Sequence, residues 1–223
     1  MPELETRRRS NSYRNKSVLF ILLGIVSFFG IVIHFSLIVL SIIFFVIAVY
    51  QWNKQTTWRI GADGEESVIR VLQNLDSSFK VVNDIVLPGD RQNIDHIVIG
   101  SIGTFVIETK NHNGYIKCVE DNWSREKVGR RGTVYDASIG NPSRQAKRNA
   151  VMLKKWLESE NIDVDYIEAV VVFTNEDVEL NLIKPTVKVV QVTDLLKIFE
   201  IPSNFKMSNE KINSITEKLC QLK

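Results

Sequence analysis

From Val18 to Val49 the chain runs for 32 residues without an Asp, Glu, Lys or Arg. Only Gly24, Ser27, Gly30, His34, Ser36 and Ser41 interrupt its apolar character. A run of that length and purity reads as a lipid-embedded anchor and not as the core helix of a soluble domain. A secretory signal has a shorter apolar core, about 7–15 residues, closed by small residues at a cleavage site. Here the run passes directly into Tyr50, Gln51 and Trp52. One straight helix of this length would measure about 48 Å, against a hydrocarbon layer of about 30 Å. A division near Gly30 to Ser36 instead gives two arms of about 16 residues and about 24 Å each, slightly short for the layer. Arg7, Arg8, Arg9, Arg14 and Lys16 precede the run, and Lys54 and Arg59 follow it. Lys and Arg are retained on the cytoplasmic side, so a hairpin that keeps both flanks inside is preferred to a single span.

The net charge of +2 over 223 residues hides unlike parts. Residues 1–17 carry +3, 51–122 carry −3, 123–155 carry +7 and 156–223 carry −5. The part beyond the anchor is therefore mildly acidic with one basic stretch. Eleven glycines, five prolines and two cysteines exclude a fibrous, low-complexity or disulfide-stapled chain. Cys118 and Cys220 are expected as reduced thiols, and neither has His or Cys neighbours at zinc spacing.

The expected organisation is a basic cytoplasmic tail (1–17), a transmembrane segment of two short helices (18–50), a linker (51–60), a main domain (61–175) and a C-terminal part that completes it (176–223). Gly61-Ala-Asp-Gly64 reads as a flexible entry. Val68, Ile69, Val71, Leu72 and Leu75 then form one apolar helix face, with Asp63, Glu65 and Glu66 at its N-terminus. Strands are expected over 79–87, 93–99 and 104–109, with shorter ones at 115–119 and around Trp123. A helix follows Asn141-Pro142, with apolar Ala146, Ala150, Leu153 and Leu157. Ile167 to Phe173 is the near-continuous apolar run of a strand covered on both faces. Residues 187–192 add another strand, Asp194 caps a short helix, and a last helix spans about 208–219. This order predicts a mixed α/β fold around one sheet.

Three residues of the charged class stand inside apolar strands: Asp95 in Ile94-Asp-His-Ile-Val-Ile99, and Glu108 and Lys110 in Phe105-Val-Ile-Glu-Thr-Lys110. Charges in such runs are costly unless paired or coordinated. If the hairpin turns on Ser101 and Ile102, paired residue numbers sum to 203 and Asp95 faces Glu108. Lys110, two residues on, shares that face. On spacing alone, an ion pair of Lys110 with either acid serves as well as a metal. Two facing carboxylates with water suit Mg²⁺ or Mn²⁺. Such an ion would bind a phosphate oxygen and acidify a water that Lys110 orients, which is chemistry for phosphodiester hydrolysis. His96 alternates to the opposite face and reads as packed or hydrogen-bonded, and Trp123 reads as core. The basic stretch either follows a phosphate backbone or is a solvated helix face.

The residues Gly61-x-x-Gly-Glu65, Asn93-Ile-Asp-His96, Gly103-x-Phe-Val-Ile-Glu-Thr-Lys-Asn111, Gly114, Trp123 and Asn141-Pro-x-x-Gln145 resemble, in order, the NERD (nuclease-related) domain of the PD-(D/E)XK nuclease superfamily. The resemblance covers roughly residues 61–175. It implies the restriction-endonuclease-like fold, a mixed sheet flanked by helices. It implies Asp95, Glu108 and the Thr109 carbonyl as metal ligands, and Lys110, Glu65 and Gln145 as catalytic residues. Arg144, Lys147, Arg148 and His112 are the candidate substrate contacts. His112-Asn113 departs from similar sequences, which often carry an aromatic residue before the glycine. The expected protein is a membrane-anchored, Mg²⁺- or Mn²⁺-dependent nuclease whose partners are the lipid bilayer and nucleic acid, DNA ahead of RNA. The competing expectation is a catalytically silent, membrane-tethered module that binds nucleic acid or protein.

Overall fold

A computed structural model describes residues 5–29, 35–129, 131–200 and 206–222. The chain divides into two compact units, Met1–Asp63 and Gly64–Lys223.

In the first unit, α1 (Glu5–Phe29) contains the basic residues expected as a separate tail. α2 (Phe35–Leu72) runs uninterrupted through residues 51–60 and 61–64, so neither the expected linker nor the flexible entry exists as a loop. No proline interrupts residues 51–64, so the apolar segment propagates into the amphipathic one. Phe20 stacks on Phe44 at 6.3 Å, and Lys54 Nζ lies 4.6 Å from the Tyr13 ring. Ser10 Oγ donates to the Gln55 carbonyl at 3.4 Å, and Arg7 pairs with Asp63 at 3.2 Å. Residue numbers rise along α1 as they fall along α2 in every such pair. Among the described residues one helix, Ser36–Leu72, is long and apolar enough to cross a membrane by length and composition. Two spans were expected, and among the described residues one helix of that kind is present. The apolar portion of α1 is short; of the expected turn from Gly30 to Ser36, residues 30–34 lie outside the described residues and Ser36 falls in the first turn of α2.

The second unit contains two sheets where one was expected. The larger orders β1 (Lys80–Val86), β2 (Asn93–Gly100), β3 (Gly103–Lys110), β7 (Ile167–Phe173) and β9 (Lys188–Gln191). β1, β2 and β3 are antiparallel neighbours, while β3, β7 and β9 run parallel. The smaller orders β6 (Val134–Asp136), β5 (Asn122–Val128), β4 (Gly114–Val119) and β8 (Val178–Ile183). β6 and β8 were not anticipated. β8 pairs in parallel with the distant β4, a partnership that no local pattern announces.

One face of the larger sheet packs on α3 (Pro142–Ser159) and α4 (Asn209–Cys220), through Ile97, Ile99, Val106, Val171, Leu153, Leu157 and Ile215. The other face packs on Val68 and Leu72 of α2 and on a 3-10 helix, Val192–Glu200, through Val98, Phe105, Ile107, Val170 and Val172. This double cover explains why β7 reads as apolar at every position but one. Asp194 sits within the 3-10 helix and does not precede it. Cys118 and Cys220 are both free thiols.

Candidate metal centre and its surroundings

The β2–β3 register carries the pairs His96 with Ile107, Ile97 with Val106 and Gly100 with Gly103, each summing to 203 as the sequence predicts. Continued by one step, it sets Asp95 against Glu108. The Thr109 amide donates to Asp95 Oδ2 at 2.8 Å. Lys110 Nζ donates to Glu108 Oε1 at 2.6 Å and to Gln145 Oε1 at 3.1 Å. Asp95, Glu108, Lys110 and Gln145 are thus brought together on the α3 side of the sheet. The Asn141 side chain accepts from the Arg144 amide at 2.8 Å, and Pro142 opens the helix, so α3 starts where Gln145 falls in its first turns.

Glu65 is buried in α2. Its neighbour Gly64 stands so close to Asn111 and Thr174 that a Cβ would lie 2.9 Å from Asn111 Cβ and from Thr174 Oγ1. Those two residues follow the ends of β3 and β7, so the glycine lets α2 approach the end of the sheet that carries Lys110. Asp84 was missed in the sequence. Its position in the β1–β2 register continues to Asp95, and its charge adds to the burial that raises the Asp95 pKa. The same register arithmetic, applied one strand earlier, exposes it.

Burial dominates the electrostatics. Glu108 is 2% exposed, and its pKa is raised first by desolvation and then by the charge of Asp95, with Lys110 opposing. The Asp95 pKa is likewise raised by burial, against the hydrogen bond from Thr109 and the charge of Lys110. Glu108 Oε2 is buried and has no hydrogen-bond partner. A cation suits two such carboxylates, because it would satisfy this oxygen and relieve their repulsion. Among the described residues no group of three or more His, Cys, Asp and Glu side chains is placed to hold an ion. Ligands beyond Asp95 and Glu108 would therefore be neutral oxygens, the Thr109 carbonyl and water, which suits a hard cation.

His96 behaves as a structural residue. Its ring nitrogens sit 2.9 Å from Asn83 Oδ1 and 3.1 Å from Thr109 Oγ1. With the amide oxygen able only to accept, Nδ1 carries the proton and Nε2 accepts from the threonine hydroxyl. Burial lowers its pKa to about 3, so it is neutral at ordinary pH. Trp123 donates to Ser143 Oγ at 2.9 Å and lies 5.9 Å from the Phe173 ring, packed against the core as expected.

The basic residues of α3 are partly committed to acids. Arg148 donates to both carboxylate oxygens of Asp90, at 2.7 and 2.8 Å, and Lys147 to Asp121 at 2.6 Å. Arg144 is exposed and lines a cavity of about 380 Å³ with Asp121, Lys147, Arg148 and Met152. His112 accepts at Nδ1 from Arg125 at 3.2 Å. Burial first, then the charges of Arg125, Lys110 and Lys127, lower its pKa to about 4. Arg125 was not singled out in the sequence, because nothing local distinguishes it from its basic neighbours.

The Nuclease-related domain family matches residues 60–174. An uncharacterized protein of Bacillus anthracis is 44% identical over 63 residues, which is 26% of this chain and 29% of that protein. The chain thus spans under a third of the relative's length. No solved structure matches. Nuclease-like domains of this kind generally use divalent metal ions and act on nucleic acid. With the match covering half of its length, in the region that holds Asp95, Glu108 and Lys110, the chain belongs to the nuclease-related domain family of the PD-(D/E)XK nuclease superfamily.

Proposed function

We propose that this protein is a membrane-anchored, divalent-metal-dependent nuclease that hydrolyses phosphodiester bonds of DNA. The observation that carries the reading is the buried Asp95–Glu108 pair with an unpartnered Glu108 Oε2 and with Lys110 Nζ 2.6 Å from Glu108 Oε1. Asp95 and Glu108, with the Thr109 carbonyl, would hold Mg²⁺ or Mn²⁺. When bound, that ion supplies Lewis-acid polarisation of a phosphoryl oxygen. Lys110 keeps its ammonium at the edge of this pair, where it orients the attacking water and balances charge that grows on the phosphoryl oxygens. Gln145 holds Lys110 at 3.1 Å from the helix side. Glu65, buried in α2, is a further acid that the family resemblance implies for the reaction. In the reaction a water oxygen forms the new bond to phosphorus, and the bond to the leaving oxygen breaks. The leaving oxygen takes up a proton. Arg144, Lys147, Arg148 and His112 are the substrate contacts, with Lys147 and Arg148 exchanging an acidic partner for phosphate.

The two basic flanks of the apolar run favour a two-span anchor in the cell membrane, with the nuclease domain on the cytoplasmic side. The full-length protein in detergent is tested on plasmid, single-stranded DNA and RNA with Mg²⁺ or Mn²⁺. Asp95-dependent cleavage of DNA is expected. No cleavage of any of them, or cleavage unchanged in Asp95→Ala, overturns the reading. The ion pairs Lys147–Asp121 and Arg148–Asp90 favour the second reading, a silent binding module, because they reduce the charge available to a phosphate backbone. Calorimetry with Mg²⁺ separates the two, since a binding-only module has no reason to lose metal affinity in Glu108→Gln.

A further inference from the structure

Arg125 is 8% exposed and, among the described residues, has no carboxylate as a hydrogen-bond partner. Its Nε donates to the Asn113 carbonyl at 2.8 Å and one terminal nitrogen to Asn113 Oδ1 at 2.8 Å. The other donates to His112 Nδ1 at 3.2 Å and to the Ser138 carbonyl at 3.3 Å. A buried guanidinium held only by neutral acceptors keeps its full charge beside the loop that follows Lys110.

Strand alternation extends that charge into a sided surface. In the β4–β5 pair Ile116 lies opposite Arg125, and in the β5–β6 pair Tyr135 lies opposite Lys127. Arg125, Lys127 and Tyr135 therefore share the face that also carries the buried Ile116. The acids of the same ribbon, Glu126 and Asp136, are paired with each other across the opposite face. A like-charge pair directly across a ladder costs stability, so this segregation of sign is not what packing alone favours. The shared face ends in Lys127, half-buried, and Tyr135, which is 49% exposed. Gly114, the β4 neighbour of Lys127, has φ +90°, and a Cβ there would strike the Glu126 carbonyl and lie 3.3 Å from Lys127 Cγ.

We infer that this face of the β5–β6 ribbon binds unpaired nucleotides next to the scissile phosphate, with Lys127 on the backbone and Tyr135 stacked on a base. The inference rests on the nuclease reading above and names its substrate class as single-stranded nucleic acid, or duplex with an unpaired flank. Charge complementarity and continuity with Lys110 through His112 and Arg125 support it. Aromatic rings bind unpaired bases in any sequence, whereas a base within a duplex offers no open face.

The test uses the full-length protein in detergent with Ca²⁺. Fluorescence anisotropy follows a labelled oligodeoxythymidine of about 15 nucleotides and a duplex of equal length. Tyr135→Ala is expected to weaken single-strand binding about tenfold while changing duplex binding little, and Tyr135→Phe to restore it. Lys127→Ala weakens both and lowers the salt slope by about one. Asp136→Asn, on the other face, changes neither. Single-strand binding unchanged in Tyr135→Ala, or an equal loss for both probes, overturns the inference. If plasmid is cleaved in an Asp95-dependent way while Tyr135→Ala binds normally, only this inference falls. If the wild type neither binds nor cleaves, the nuclease reading falls with it.

Discussion

The amide of Thr109 donates to Oδ2 of Asp95 at 2.8 Å, so the strand that presents Glu108 and Lys110 also orients the acid facing them. The three groups are held by one hairpin. Asp95→Ala, Glu108→Gln and Lys110→Ala should each lower DNA cleavage by about 10²-fold or more, the usual cost of a positioned charge or acid–base group. Single-turnover rates on plasmid check this. A drop of less than tenfold in any of them would show that the hairpin is not the reacting centre.

Glu108 should be a source of instability without metal. Its pKa is raised by burial, so the folded state holds its proton more tightly than the unfolded state. The stabilisation this gives is complete below the unfolded pKa and is lost as pH rises through the folded one. Glu108→Gln removes the loss. In a chelator it should melt higher than wild type at alkaline pH, by about 1 kcal/mol or more, with the gap closing on acidification. Adding Mg²⁺ or Mn²⁺ should raise the wild-type melting temperature and leave Glu108→Gln unmoved. Melting curves at several pH values, with and without metal, decide both points.

His96 has the opposite acid response. Its folded pKa of about 3 lies below the usual 6.5, so the unfolded chain binds the proton better between those values. Stability is therefore lost as pH falls from 6.5 toward 3, by about 1.4 kcal/mol per unit at most from this one group. His96→Gln should flatten that slope while lowering stability at neutral pH. A denaturation series from pH 7 to 4 reads the slope, and an unchanged slope would place the histidine's proton elsewhere.

Gly64→Ala should cost about 1–3 kcal/mol, because the new methyl would sit 2.9 Å from Asn111 Cβ and Thr174 Oγ1. Since Glu65 and Lys110 adjoin those contacts, cleavage should fall further than the loss of folded protein explains. Measuring rate per folded molecule separates the two effects.

Membrane topology is testable with a native residue. Cys220 is exposed and Cys118 buried. In intact cells a membrane-impermeant maleimide should leave Cys220 unlabelled until permeabilisation, and Ser36→Cys should label from outside. Labelling of Cys220 in intact cells would reverse the orientation.

The hairpin register was legible in the sequence because the Gly100–Gly103 turn and side-chain alternation leave little choice once strands of that length are joined so tightly. The meeting of Asp95 and Glu108, the α3 start at Asn141-Pro142 and the placing of His96 on the face opposite Asp95 follow from the same local rules. The division into two sheets was not legible. β8 pairs with β4 across more than 60 residues, and its alternating Val-Glu-Leu-Asn-Leu-Ile is compatible with either sheet. The merging of the anticipated linker into α2 is likewise a matter of helix propagation overriding polar composition.

The sequence by itself determined the uncharged apolar run, the strand faces and the residues that form the carboxylate pair, because each depends on spacing along a few residues. Tertiary structure alone decided which cations are paired with acids. Arg148 and Lys147, prominent in the basic stretch, are held by Asp90 and Asp121. Arg125, unremarked among its neighbours, is buried without an acid and carries its charge to His112. Charge is counted along a chain, but its availability depends on which acid folding brings within reach.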